Sequence, residues 1–244
     1  MADMDSTDAA ASGTLLDGPR WGPAEAGPAR RLVAICHGVG ASGEDLIALA
    51  PALGRDVPDA LFIAPDGPEP YDWAASGRQW FSLRDRRPDL LEAGVRIAAR
   101  ALDAFLDKEL ARSGLPPTEY ALAGFSQGAM TALFAGLRRR HPPRAIIACS
   151  GALLAHGTLA REMTHRPPVL LVHGEADEVV PAAWGRATER ALRGAGVPVE
   201  SLFIPGLGHG IDATALEAAG AFLRRAFAPA HARDRDRDRG MTGP

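Results

Sequence analysis

Between residues 30 and 228 the chain alternates short apolar runs with segments of helical periodicity, and that alternation leaves few folds open. The runs at 31–37, 60–64, 119–123, 145–149, 169–173 and 199–204 are dominated by apolar residues, several of them β-branched. A strand with one wet face would alternate apolar with polar residues; most of these runs do not. The segments 44–53, 89–111, 127–139, 182–194 and 213–227 repeat apolar residues at helical spacing. In the longest, Leu90, Ile97, Ala101, Leu102 and Phe105 are expected on one face. Strands buried on both sides and separated by helices predict an α/β fold, with a mostly parallel central sheet and helices on both faces. Ligands of such sheets sit beyond the carboxyl ends of the strands.

The two ends read differently. Residues 1–29 are rich in Ala, Gly, Pro and Asp and are expected to be largely disordered, with an edge strand near Thr14–Leu16. Residues 229–244 contain Arg233-Asp234-Arg235-Asp236-Arg237-Asp238-Arg239, an alternating-charge tail with nothing to bury. One catalytic domain is expected at 30–228. The net charge of -3 argues against a nucleic-acid partner. The acidic start lacks an apolar run, no segment has the length of a membrane span, and the two cysteines each end an apolar run as buried thiols do. These features predict a cytoplasmic protein. Whether it is a monomer or a homodimer is not legible.

The chemistry is concentrated at three strand ends. Gly124-Phe125-Ser126-Gln127-Gly128 is G-x-S-x-G, between a strand pattern and a helix pattern. The glycines allow the sharp turn that holds a serine hydroxyl clear of the sheet. The run Val169–His173 leads into Gly174-Glu175-Ala176-Asp177-Glu178-Val179-Val180-Pro181, and Ser201–Ile204 into Pro205-Gly206-Leu207-Gly208-His209-Gly210. The order Ser126, Asp177, His209 is that of an α/β-hydrolase triad. Ser126 is then the nucleophile, His209 the proton carrier and Asp177 the group that orients it. Glu175 and Glu178 are local rivals for the acid. His173 reads as a structural strand-end residue, and His141, His156, His165 and His231 have no supporting context. No histidine has metal-ligand spacing, so neither a metal nor a cofactor is expected.

A different class of protein competes for one loop. Gly38-Val39-Gly40-Ala41-Ser42-Gly43 is G-x-G-x-x-G after a strand, with Asp66 further on, the elements of a Rossmann-type dinucleotide site in an oxidoreductase. That alternative leaves the Ser, Asp and His strand ends without a role. In the hydrolase reading the loop gives one backbone N–H to an oxyanion hole and Gln127 gives the other. Residues 65–88 interrupt the alternation with Tyr71, Trp73, Trp80 and Phe81, and read either as a lid or pocket wall or as a packed surface loop.

Taken together, His37-Gly38-Val39-Gly40, Trp80-Phe81, the Ser126 pentapeptide, His173-Gly174 with Asp177-Glu178-Val179-Val180-Pro181, and Gly208-His209 resemble the phospholipase/carboxylesterase family of small serine esterases, which includes the acyl-protein thioesterases. The resemblance spans about residues 30–227. It implies an α/β-hydrolase fold without a large cap domain. It also implies hydrolysis of carboxylic esters with short to medium acyl chains, and in some members thioesters or lysophospholipids, through an acyl-enzyme intermediate. By the resemblance Val39 supplies the first oxyanion N–H and Trp80 and Phe81 line the acyl side of the pocket. Ser82 stands where the family often has an aspartate.

Overall fold

The computed structural model describes residues 16–229. Nine strands are present among them: β1 (Arg20–Trp21), β2 (Arg31–Cys36), β3 (Ala60–Ile63), β4 (Glu69–Pro70), β5 (Arg78–Gln79), β6 (Tyr120–Phe125), β7 (Ile146–Cys149), β8 (Val169–Gly174) and β9 (Val199–Ile204). Seven form one sheet in the order β1-β3-β2-β6-β7-β8-β9, and β4 and β5 pair as a separate ribbon. Every pairing from β3 to β9 is parallel; only β1 runs antiparallel, against β3. The chain turns from β2 towards β3 on one side and later adds β6 on the other. The crevice where the strand order reverses therefore lies between the ends of β2 and β6.

Successive residues of the inner strands feed two separate cores. Leu32, Ala34, Tyr120, Leu122, Ile146 and Leu171 enter the first, covered by α3 (Pro88–Arg112), α4 (Gln127–Gly136) and α6 (Ala182–Gly194). Val33, Ile35, Ala121, Ala123, Ile147 and Val172 enter the second, under α1 (Gly43–Ile47), α2 (Ala50–Leu53) and α7 (Ala213–Phe227). This is why the strands read as continuous apolar runs: both faces are covered. Each large side chain buried completely, such as Phe62, Leu122 or Ile146, contributes about 1.5–3 kcal/mol. The chain adds no large cap; a short α5 (Leu159–Glu162) follows β7.

Two expectations shift, and a third falls mostly outside the described residues. The helix read over 44–53 is two short helices, because Pro51 lacks the N–H that would bond the Ile47 carbonyl. The buried face of α3 is Val95, Ala98, Ala99, Leu102, Phe105, Leu106 and Leu110, while Leu90 and Ile97 are 41% and 54% exposed. The edge strand is β1 at residues 20–21, whereas the one expected at Thr14–Leu16 falls mostly outside the described residues, as do residues 1–15 and the charged run 233–239. Among the described residues no helix is long and apolar enough to cross a membrane.

Candidate active site

Ser126 sits between β6 and α4 with φ 53° and ψ -119°, a conformation that side-chain-bearing residues rarely adopt. The turn holds because its neighbours have no side chains. A Cβ on Gly124 would lie 2.4 Å from the Gly128 carbonyl oxygen, and one on Gly128 would lie 2.1 Å from that of Cys36. The Ser126 amide donates to the Cys149 carbonyl (2.9 Å), tying the turn to β7. α4 then runs through the first core with all ten of its residues buried.

The segment after β8 carries three acids, and the structure puts one of them against an imidazole. Asp177 Oδ2 lies 2.8 Å from His209 Nδ1. Its other oxygen accepts the amide N–H groups of Val179 (2.9 Å) and Val180 (2.8 Å). Burial alone would raise this carboxyl's pKa; the hydrogen bonds from His209, Val180 and Val179 more than offset it, and the net shift is downward. Glu175 instead points to solvent and pairs with Arg186 (2.6 Å), and Glu178 is exposed. His173 is buried beneath this loop. Its Nε2 lies 2.8 Å from the Val180 carbonyl oxygen, and its ring fills the space beside Gly185. The ring of His209 packs on Phe125, centroid to centroid 4.8 Å, beside Ser126. No hydrogen bond joins Ser126 Oγ to His209 in this structure. Catalytic contacts of this kind often close only with substrate bound.

The loop after β2 meets the turn at van der Waals distance. A Cβ on Gly38 would be 3.4 Å from that of Ser126. Neither the Val39 nor the Gln127 amide N–H has a partner among the described residues. The loop is braced by His37, which is wholly buried. Its Nε2 accepts the Gly67 N–H (2.8 Å), so the ring proton is on Nδ1, which donates to the Gly38 carbonyl (2.7 Å). Fixing that carbonyl fixes the trans peptide joining residues 38 and 39, and the Val39 N–H points the opposite way. Burial lowers the His37 pKa, which keeps the ring neutral.

Trp80 and Phe81, expected to line the acyl pocket, are 0% and 1% exposed and belong to the first core. Their hydrogen bonds run to the glycine loop and to Gln127. Trp80 Nε1 donates to the His37 carbonyl (2.9 Å). The Gln127 side-chain amide accepts the Trp80 N–H (2.9 Å) and donates to the Phe81 carbonyl (2.6 Å). The 65–88 segment is laced to the glycine loop as well, through Gly40 N–H to the Arg78 carbonyl and Arg78 N–H to the Ala41 carbonyl, both 2.8 Å. Ser82 donates to Asp72 (2.6 Å), so a carboxylate is nearby even though the residue after the aromatic pair is a serine.

The dinucleotide reading of the glycine loop finds no support. Asp66 does not stand free at a strand tip; its Oδ1 accepts the Gly43 N–H (2.7 Å), so loop and acid satisfy each other. α1, which the loop opens, has only five residues. Cys36 and Cys149 are free and buried; burial pushes both thiols up, Cys149 to about 12.

Comparison with known proteins finds relatives among esterases and acyl-protein thioesterases. The phospholipase/carboxylesterase family matches residues 23–227. An esterase, YpfH of Escherichia coli strain K12, is 32% identical over 201 residues, covering 81% of this chain and 83% of its own. Acyl-protein thioesterase 1 of Gibberella zeae is 28% identical over 214 residues, covering 81% and 91%. The crystal structure of esterase PE8 superposes with a TM-score of 0.82 at 41% identity, covering 87% of this chain and 99% of that one.

Proposed function

The chain belongs to the phospholipase/carboxylesterase family, and from that premise we propose that it hydrolyses carboxylic esters or thioesters of short to medium acyl chains through an acyl-enzyme intermediate on Ser126. It is a hydrolase of the carboxylesterase/thioesterase class, and the dinucleotide-dependent alternative is set aside. The observation that supports the mechanism most is the Asp177–His209 bond of 2.8 Å beside a serine held at φ 53°.

As Ser126 Oγ attacks the acyl carbon, its proton passes to His209 Nε2, while Nδ1–H stays bonded to Asp177. The carbonyl oxygen, now an oxyanion, takes hydrogen bonds from the Val39 and Gln127 amides, each worth a factor of about 100 to 1,000 in turnover. Collapse expels the alkoxide or thiolate, which leaves with the proton from His209. Water then repeats the sequence on the acyl-serine, releasing the acid and restoring Ser126.

A fluorophosphonate should label Ser126 in the intact protein, and Ser126→Ala should lose both labelling and nearly all p-nitrophenyl acetate hydrolysis while remaining folded. A variant that hydrolyses like the parent would mean that another residue is the nucleophile.

A further inference from the structure

A largely apolar groove of about 380 Å³ opens on the same end of the sheet, between the start of α3, the loop after β7 and α6. Its walls include Leu91, Leu153, Leu154 and the half-exposed Trp184. Its lining includes none of Ser126, Asp177 and His209, but its wall packs against their neighbours. Ala152 and Leu154 pack with Met130 and Val180; the Met130 amide bonds the Ser126 carbonyl, and the Val180 amide bonds Asp177.

The groove lies on the α3/α4/α6 side of the sheet, whereas His209 packs on Phe125, which belongs to the α1/α2/α7 side. The group protonated by His209 departs on the imidazole's side, so the groove is placed for the acyl arm.

The side chains lining it include Thr188, His156 and Arg86 but no carboxylate. Thr188, 4% exposed, accepts the Leu153 N–H (2.8 Å), and its own hydroxyl proton has no acceptor among the described residues. Arg86, which is exposed, also lines the groove. In the run Arg84-Asp85-Arg86-Arg87, Arg84 pairs with Asp72 and Arg87 with Asp85, which leaves Arg86 without a carboxylate. His156 also lines the groove, and no Asp or Glu does.

Resting on the esterase reading above, we propose that this groove selects acyl chains that end in a carboxylate, the aliphatic chain lying on the apolar walls and the distal anion meeting Arg86. The substrate class is thus the half-ester of a linear dicarboxylic acid. An aliphatic chain of the right length removes apolar surface from water, and its end then meets a planar cation suited to a carboxylate.

The test compares kcat/KM for monomethyl esters of linear dicarboxylic acids, butanedioate to decanedioate, with methyl esters of monocarboxylic acids of equal length. The ratio of charged to neutral ester should peak at one chain length. At that length Arg86→Gln should lower the ratio about three- to tenfold, the range for a partly exposed charge-assisted pair. Arg86→Glu should lower it further, and added salt should lower it in the parent only. A ratio that neither variant moves, or one with no preferred length, overturns the proposal. Ser126→Ala is run beside them: if it matches the parent on both ester series, the nucleophile assignment fails, and the groove proposal falls with it.

Discussion

His37→Asn tests the brace behind the glycine loop. The asparagine amide can still donate to the Gly38 carbonyl, but nothing replaces Nε2, so the Gly67 N–H loses its acceptor in a fully buried position. An orphaned buried donor costs about 1–3 kcal/mol, and the missing ring atoms about 1 more, so roughly 2–4 kcal/mol in all. For a domain of this size that is a fall in Tm of about 4–16 °C. The pH dependence separates this from a generic core defect. Burial holds the folded pKa of His37 below its ordinary value. Below an ordinary value of about 6.5 the unfolded chain therefore binds the proton more readily, and acid favours unfolding. This contribution to stability is complete above about pH 6.5 and is lost as pH falls towards the folded pKa. Asparagine does not titrate, so the gap between parent and variant should narrow on going from pH 7.5 to 5.5. Urea melts followed by tryptophan fluorescence measure it, and groups common to both proteins cancel in the difference. A gap that stays constant with pH, or a variant as stable as the parent at pH 7.5, would refute the neutral brace.

Three further changes probe the same site. Asp177→Asn should keep an acceptor towards Val179 and Val180 and turn its NH₂ to His209 Nδ1, imposing the wrong tautomer; kcat should fall by about 10⁴ with the urea midpoint little changed, whereas Glu175→Gln, which breaks only a surface pair with Arg186, should leave kcat alone. Gln127→Ala strands the Trp80 N–H and the Phe81 carbonyl and should cost about 2–4 kcal/mol in the same urea assay; a loss under 1 kcal/mol would show that water satisfies both groups. Gly128→Ala puts a carbon 2.1 Å from the Cys36 carbonyl oxygen, so β2 and α4 must part; a stability loss above about 3 kcal/mol is expected, and a variant with the parent's melting curve would mean that the turn has slack.

What could be read from the sequence, and what could not, divides along a physical line. The sheet was legible because burial on both faces forces apolar residues into every strand, and that demand is visible one residue at a time. The turn at Ser126 was legible for a similar reason: backbone approaches as close as those at Gly124 and Gly128 exclude every residue but glycine. The brace has no such signature. His37 and the Gln127 side chain bond to backbone groups of residues 38, 67, 80 and 81, and every non-proline residue offers the same N–H and C=O. A pattern of residue types therefore cannot say where these bonds end. The same gap hides the burial of Trp80 and Phe81. Large aromatics in a long loop suit a substrate wall and a buried strut equally well, and only the three-dimensional path of residues 65–88 turns them inward. The one available hint is a wholly apolar-flanked histidine, His37, ahead of a glycine loop: a buried imidazole must find both a donor and an acceptor. The loop beside it is the nearest source of the carbonyl, and the segment after β3 supplies the amide. The glycine loop and the segment after β3 are thereby locked to each other through one ring.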